Sequence, residues 1–320
     1  MSFKLENMRQ WLVAAVMLLT PNLVLAFNAP ADVPTWCGKP YMSTNQALDP
    51  GGQFQFPTPS KDPLLYLTVQ PRYTIFLESD EAGSFIVDAS ISYTFGEPLQ
   101  NVNYQSPNHP GVSLDFKISN DENRVLLVSN SIPVNSTGNL FSFPLSAFTP
   151  RLAPYPITIR GTLNQQTFTS TTTLYILPSR TYGSAVKIDN LHGGLYVQNP
   201  HNNYEGWYAV FPVGYYADGG YVTPPNTSFT NLDTYAAQGF NTINIVPDGG
   251  LPDQSYPVSS LQTYWDHLDA LNLFNLYDMR FAFQNSTRIS TQVALWKDRP
   301  TLLSWYTADE PDGYVSTLFR

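Results

Sequence analysis

LLSWYTADEPDG occupies residues 302–313 of the 320-residue chain. A β-favouring run, Leu302-Leu303-Ser304-Trp305-Tyr306, leads within a few residues to Asp309, Glu310 and Asp312. Two readings of these carboxylates are open. In one, a buried strand ends at a functional face. Trp305 and Tyr306 precede Glu310 and Pro311 stiffens the chain behind it. A carboxyl walled by aromatics has its charged form disfavoured by desolvation, which suits a general acid. In the other reading, Asp309 or Asp312 caps the N-terminus of a following helix. The pattern of the chain before this stretch decides which fold the strand belongs to.

Working back from it, strands alternate with helices. AVFPVGYYADGG (209–220) is a strand running into a glycine-rich loop. TSFTNLDTYAAQGF (227–240) carries Phe229, Leu232, Tyr235 and Ala236 at helical spacing, with Ser228 or Thr230 as cap and Gly239 at its end. TINIVP (242–247) is a short apolar strand. Residues 258–272 place Leu261, Tyr264, Trp265, Leu268 and Leu271 on one helical face. LFNLYDMR (273–280) is a third strand, and residues 286–298 a third helix with Ile289, Val293 and Trp296 as its stripe. The 302–313 stretch closes a β-α-β-α-β-α-β series, which implies a parallel sheet. A doubly wound sheet and a (β/α)8 barrel compete. No GxGxxG follows the first strand, which weighs against a dinucleotide fold.

Either form puts function at the C-terminal ends of the strands. That face receives Tyr215, Tyr216 and Asp218, then Asp248, then Asp278 or Arg280, then Asp309-Glu310. Tyr faces stack on sugars, and tyrosine is also common at plain strand ends. Asp278 and Arg280 either form a structural pair below the site or line it. His109, His192, His201 and His267 lack metal-ligand spacing, and no GxSxG elbow is present. No cofactor is expected.

Residues 64–180 have a different pattern. Short β-favouring runs recur between turn signals: 73–79, 84–95, 112–119, 124–129, 156–163 and 167–177. In 84–95, Phe85, Val87, Ala89, Ile91 and Tyr93 alternate with Ile86, Asp88, Ser90 and Ser92. Strands at this spacing without helical pattern predict an antiparallel β-sandwich. No carboxylate–histidine constellation accompanies it, so it is expected to be an accessory domain. Residues 27–63, Gly/Pro/Ser-rich toward their end, form an irregular lead-in.

Lys4 and Arg9 precede an apolar run from Trp11 that ends in Val24-Leu25-Ala26. That is the pattern of a signal peptide, residues 1–26, cleaved near Ala26. Pro21 and Asn22 interrupt the run, which is short for a membrane span. An uncleaved anchor is the alternative; after cleavage no stable membrane association is expected. Three sequons, at Asn135, Asn226 and Asn285, agree with a secreted, extracellular glycoprotein. Cys37 is the one cysteine, a buried small hydrophobe or a thiol without its partner. Charged residues are 13% and hydrophobic residues 42%, which excludes disorder. A net charge of -9 without a Lys/Arg run excludes nucleic acid as a partner. The 14% aromatic content suits carbohydrate handling and an aromatic β core equally.

Residues 302–313 also resemble the fourth strand of clan A glycoside hydrolases, (β/α)8 retaining enzymes whose strand ends in Asn-Glu-Pro or a close variant. The span 194–313 resembles the first half of the barrel in secreted hydrolase-like proteins of fungal type, in which a β-sandwich precedes the barrel. The resemblance implies the first half of a TIM-type barrel over residues 181–320, a carbohydrate substrate, and Glu310 as acid/base. Asp309 stands where the clan usually has Asn. With Tyr216, Asp218, Asp278 and Arg280 it is the expected substrate-binding set. The clan's nucleophile, a Glu ending the seventh strand, has no counterpart here. The expectation is therefore a chain truncated after the fourth barrel strand and inactive alone. A non-catalytic carbohydrate-binding or cell-surface protein is the alternative.

Overall fold

The computed structural model describes residues 57–100, 112–217, 219–223, 228–247, 255–283 and 285–307, with two short strands before them. Those strands, Thr35–Trp36 (β1) and Lys39–Pro40 (β2), pair antiparallel. All other described elements fall in one compact unit, Pro57–Thr307. The signal-peptide pattern, Cys37, Asp218, Asn226, Asp248, Asp309 and Glu310 lie outside the described residues.

The first half of this unit is antiparallel. Its strands are Leu64–Pro71 (β3), Phe76–Leu77 (β4), Ala82–Ser92 (β5), Glu97–Pro98 (β6), Ser113–Asn120 (β7), Leu126–Pro133 (β8), Ser136–Pro144 (β9), Tyr155–Leu163 (β10), Gln166–Leu174 (β11) and Ile176–Leu177 (β12). Two four-stranded sheets form, in the orders β6-β3-β5-β9 and β11-β10-β7-β8. Period-2 alternation decides which faces meet. Leu65, Leu67, Val69, Phe85 and Val87 of the first sheet share a core with Leu114, Phe116, Ile118, Ile157 and Ile159 of the second. Phe85 stacks on Phe143 at 4.4 Å.

Two strands are absent from the sequence reading. β3 lies between the end of the lead-in and the first run read as a strand, and β9 is rich in Ser, Gly and Asn. Both are placed by pairing with β5, which runs between them. The strand expected over 73–79 shrinks to β4, which pairs parallel with β12.

A three-stranded antiparallel sheet follows: Ala185–Ile188 (β13), Leu195–Gln198 (β14) and Tyr208–Val210 (β15). It is tied to the sandwich by a bridge between Tyr73 and Asp189, and by bonds from Thr74 N to Ile188 O and from Asn190 N to Arg72 O. The Lys187 ammonium is 5% exposed, 3.3 Å from Asp80. It lies over the rings of Trp207 (3.8 Å) and Tyr73 (4.3 Å). Burial lowers its pKa, and Asp80 opposes that shift.

Beyond Val210 come Thr230–Ala237 (α1), Thr242–Ile245 (β16), Val258–Leu271 (α2), Phe274–Asp278 (β17), Ser286–Trp296 (α3) and Leu302–Tyr306 (β18). β16, β17 and β18 form a parallel sheet in sequential order. The strand expected over 209–220 divides. Its start is β15, and its remainder runs beside β16 through the parallel bridge Tyr216↔Asn244. Gly214 permits that approach, since a Cβ there would stand 1.7 Å from the Thr242 carbonyl oxygen. α1 lacks the expected side-chain cap: its N-cap is Phe229, and the hydroxyls of Ser228 and Thr230 bond each other.

One face of the parallel sheet packs on the helices. Ile243, Ile245, Tyr277 and Leu302 join Leu232, Leu261, Trp265, Leu268 and Trp296 there. The other face is covered near the strand starts by Val197 and Val210, against Phe274 and Leu303.

Candidate functional site

Toward the C-terminal ends of the strands, the face turned from the helices carries the exposed side chains of Tyr216 and Ser304. Register sets its residues: Tyr216 opposite Asn244, Asn244 opposite Leu276, Leu276 opposite Ser304, and Asp278 opposite Tyr306. A register shift beside Asn275 and Leu276 keeps Ser304 and Tyr306 on this face while Trp305 turns to the helices.

Asp278 anchors the cluster and is 1% exposed. Its Oδ1 accepts the Arg280 backbone N–H at 2.8 Å. Its Oδ2 accepts from Arg280 Nε at 2.9 Å and Nη2 at 2.6 Å. A buried carboxylate is tolerated when paired and hydrogen-bonded in this way. The guanidinium carbon lies 5.1 Å from the Tyr216 ring centre and 5.9 Å from that of Tyr306. The two rings meet edge to face at 6.5 Å. The result is a positive plate between aromatic walls, with Tyr216 half exposed at 52%.

The structure thus brings together Tyr216, Asp278 and Arg280 of the expected set. The pair is structural and lines the open face at once, so the two sequence alternatives merge. Both oxygens of Asp278 are engaged by Arg280. Tyr215 is not part of this face: its ring packs on Tyr235 and Phe240.

Asn244 was missed from sequence. It is 8% exposed and its Oδ1 has no hydrogen-bond partner among the described residues. A buried acceptor left unpaired costs free energy, which marks it as a contact in waiting. The signal was present in TINIVP: Ile243 and Ile245 face the helices, so Asn244 must face the other way.

His267 bonds Asp233 at 2.8 Å and stacks on Phe229, holding α2 to α1. His201 bonds the Asp269 carbonyl at 2.8 Å. Among the described residues no cluster of His, Cys, Asp or Glu is arranged to hold a metal, and no helix is long and apolar enough to cross a membrane. Asn135 is exposed at a left-handed turn (φ 66°) and Asn285 caps α3 through its side-chain oxygen.

No protein-family description matches the sequence, and no curated protein matches it. Solved structures that it is similar to include beta-glucuronidases. One is beta-glucuronidase 3 of Bacteroides uniformis, with 14% identity and a TM-score of 0.31 over 79% of this chain and 29% of that one. Another is from Parabacteroides merdae, with 11% identity and a TM-score of 0.30 over 80% of this chain and 30% of that one. A third is the FMN-binding beta-glucuronidase of Facaelibacterium prausnitzii, with 14% identity and a TM-score of 0.25 over 84% of this chain and 36% of that one. The chain spans about a third of the length of these enzymes.

Proposed function

We propose that this chain is a secreted glycoside hydrolase-like protein, with a β-sandwich followed by the first half of a (β/α)8 barrel. Its open strand-end face takes a carbohydrate. The observation that carries the reading is the gathering of Tyr216, Asp278, Arg280 and Tyr306 at the C-terminal ends of parallel strands. In the sequence, Asp309-Glu310 follow the end of β18 within four residues. Glu310 is the general acid/base, donating its proton to the leaving oxygen. Asp309 and Asp218 join the described cluster as acceptors for sugar hydroxyls.

A retaining mechanism needs a second carboxyl about 5–5.5 Å from the first. Asp278, held by Arg280, does not fill that role. That observation supports the second reading, a carbohydrate-binding protein without turnover. One experiment separates them. The chain and its Glu310→Gln variant are assayed on glycosides with poor leaving groups and titrated with the same sugars. Where a second carboxyl completes the site, hydrolysis is expected and Glu310→Gln lowers it at least about 100-fold, the loss of a general acid. Equal rates in the two proteins would sink the acid/base role. Sugar binding without turnover, weakened by Arg280→Ala, establishes the binding reading instead.

Secretion belongs to the same proposal. Mass spectrometry of the exported protein should find its N-terminus near Phe27 and glycans on Asn135, Asn226 and Asn285. A retained Met1 would favour the anchor.

A further inference from the structure

The outer face of the sheet β11-β10-β7-β8 is polar, as alternation requires, since its inner face builds the sandwich core. Its composition is unusual. The register sets Arg160 directly opposite Lys117, and Lys117 opposite Ser129. Asp115 stands opposite Thr162 and Ser131. These six side chains are exposed and line one depression of about 730 Å³.

Like charges directly opposite on adjacent strands repel each other. Elsewhere Arg72, Arg151, Arg180, Lys187, Arg280 and Arg299 each hold a carboxylate, and no other two cations are set directly opposite each other in a described strand register. Among the described residues Lys117 and Arg160 have no ion-pair partner, and Asp115 pairs with neither. A net charge of -9 makes this local positive spot stand out further.

We propose that this face binds an acidic glycan, a run of sugars bearing carboxylate or sulfate groups. An anion between Lys117 and Arg160 relieves their repulsion and accepts charge-assisted hydrogen bonds from both. Ser129, Ser131, Thr162 and Asp115 supply the donors and acceptors that sugar hydroxyls need. No aromatic ring lines the depression except the buried Phe116. A neutral glycan and a nucleobase therefore have nothing to stack on. Two cations on a negative protein are also too few to hold a nucleic acid. This inference rests on the sandwich surface alone and is independent of the strand-end cluster.

The test is a calorimetric titration of the full chain at low salt with four probes. These are a tetragalacturonate, a heparin-derived tetrasaccharide, maltotetraose and a short single-stranded DNA. The acidic tetrasaccharides should bind with a dissociation constant of about 1 mM or below, weakening as salt is added. The tighter of the two names the anion. Lys117→Gln and Arg160→Gln should each weaken binding by roughly tenfold. Their melting temperatures should hold or rise, because a repulsion is removed. The proposal is overturned by no binding of either acidic probe at about 10 mM. It is equally overturned if maltotetraose or DNA binds as tightly, or if both variants bind like the native chain.

Discussion

Asp189 has no exposed surface, and Arg72 balances it across the junction between the sandwich and β13 at 3.1 Å. Burial alone pushes the carboxyl's pKa up. The Arg72 hydrogen bond and the Leu191 N–H outweigh that push and hold it below the usual 3.8. The unfolded chain then takes up this proton more readily than the folded one. The pair's stabilisation is therefore complete above pH 3.8 and drains away as pH falls through the folded value. Arg72→Met leaves a buried charge without its counter-ion and should cost about 3 kcal/mol at neutral pH. Burial, then opposed only by the backbone N–H groups of Leu191 and His192, should raise the carboxyl's pKa, so the loss from the variant shrinks in acid. Urea unfolding of both proteins across this range checks it. Parallel pH curves would show that Arg72 does not set the charge state of Asp189.

At the scale of an element, the segment from Val213 to Ala217 depends on Gly214. Val213 O accepts from Asn241 N at 3.1 Å and Thr242 N at 3.2 Å, and Ala217 N donates to Asn244 O at 2.8 Å. A methyl at Gly214 collides with the Thr242 backbone and with the Tyr235 hydroxyl, 2.8 Å away. Gly214→Ala should cost about 2–3 kcal/mol by overpacking, and should displace Tyr216 from the Arg280 guanidinium. A loss of less than half a kcal/mol would mean the segment has room to retreat.

The helical elements were legible because each carries an apolar stripe: Leu261, Tyr264, Trp265 and Leu268 of α2 are all buried. β16, β17 and β18 were legible as short apolar runs between them. β9 was not, because Ser136, Gly138 and Asn139 have little intrinsic strand preference and their place comes from pairing with β5. Asp278 and Arg280 were readable as strand-end residues. Their bidentate clasp and the ring of Tyr306 against it were not, since both depend on neighbouring strands lining up. The register shift that turns Ser304 and Tyr306 to the open face leaves no mark in composition.

Over the whole unit, the sandwich core and the helix-backed sheet are separate apolar clusters. Between them stands the β13–β15 sheet, which meets the parallel sheet through Val197, Val210, Phe274 and Leu303 and the sandwich through polar contacts: the Arg72–Asp189 pair, the bridge at Tyr73, and Lys187 with Asp80. Asp80 also accepts from Trp207 Nε1 at 2.6 Å. Burying a polar latch gives geometric definition more than net stability. One cooperative calorimetric transition is expected for the native unit. Lys187→Ala, which leaves Asp80 without its ammonium, should lower stability by about 3 kcal/mol. It should also divide the transition in two, the helix-backed sheet melting first. A single, unshifted transition in that variant would show that the two cores are coupled by something other than this latch.

The distribution of indoles has an optical consequence. Between residues 57 and 178 the sequence has no tryptophan, so the sandwich core is built with phenylalanine and tyrosine. Trp265 and Trp296 are fully buried behind the parallel sheet, with ring planes 28° apart at 6.0 Å. Tyr277 lies 6.0 Å from Trp265 at 19°. Rings fixed at such spacing couple their electronic transitions, and fixed aromatic packing is what near-ultraviolet circular dichroism reports. Selective indole excitation therefore follows Trp265 and Trp296 in the helix-backed half and receives nothing from residues 57–178, whereas tyrosines occur in both halves. The protein carries its own optical record of when the helix-backed half unfolds.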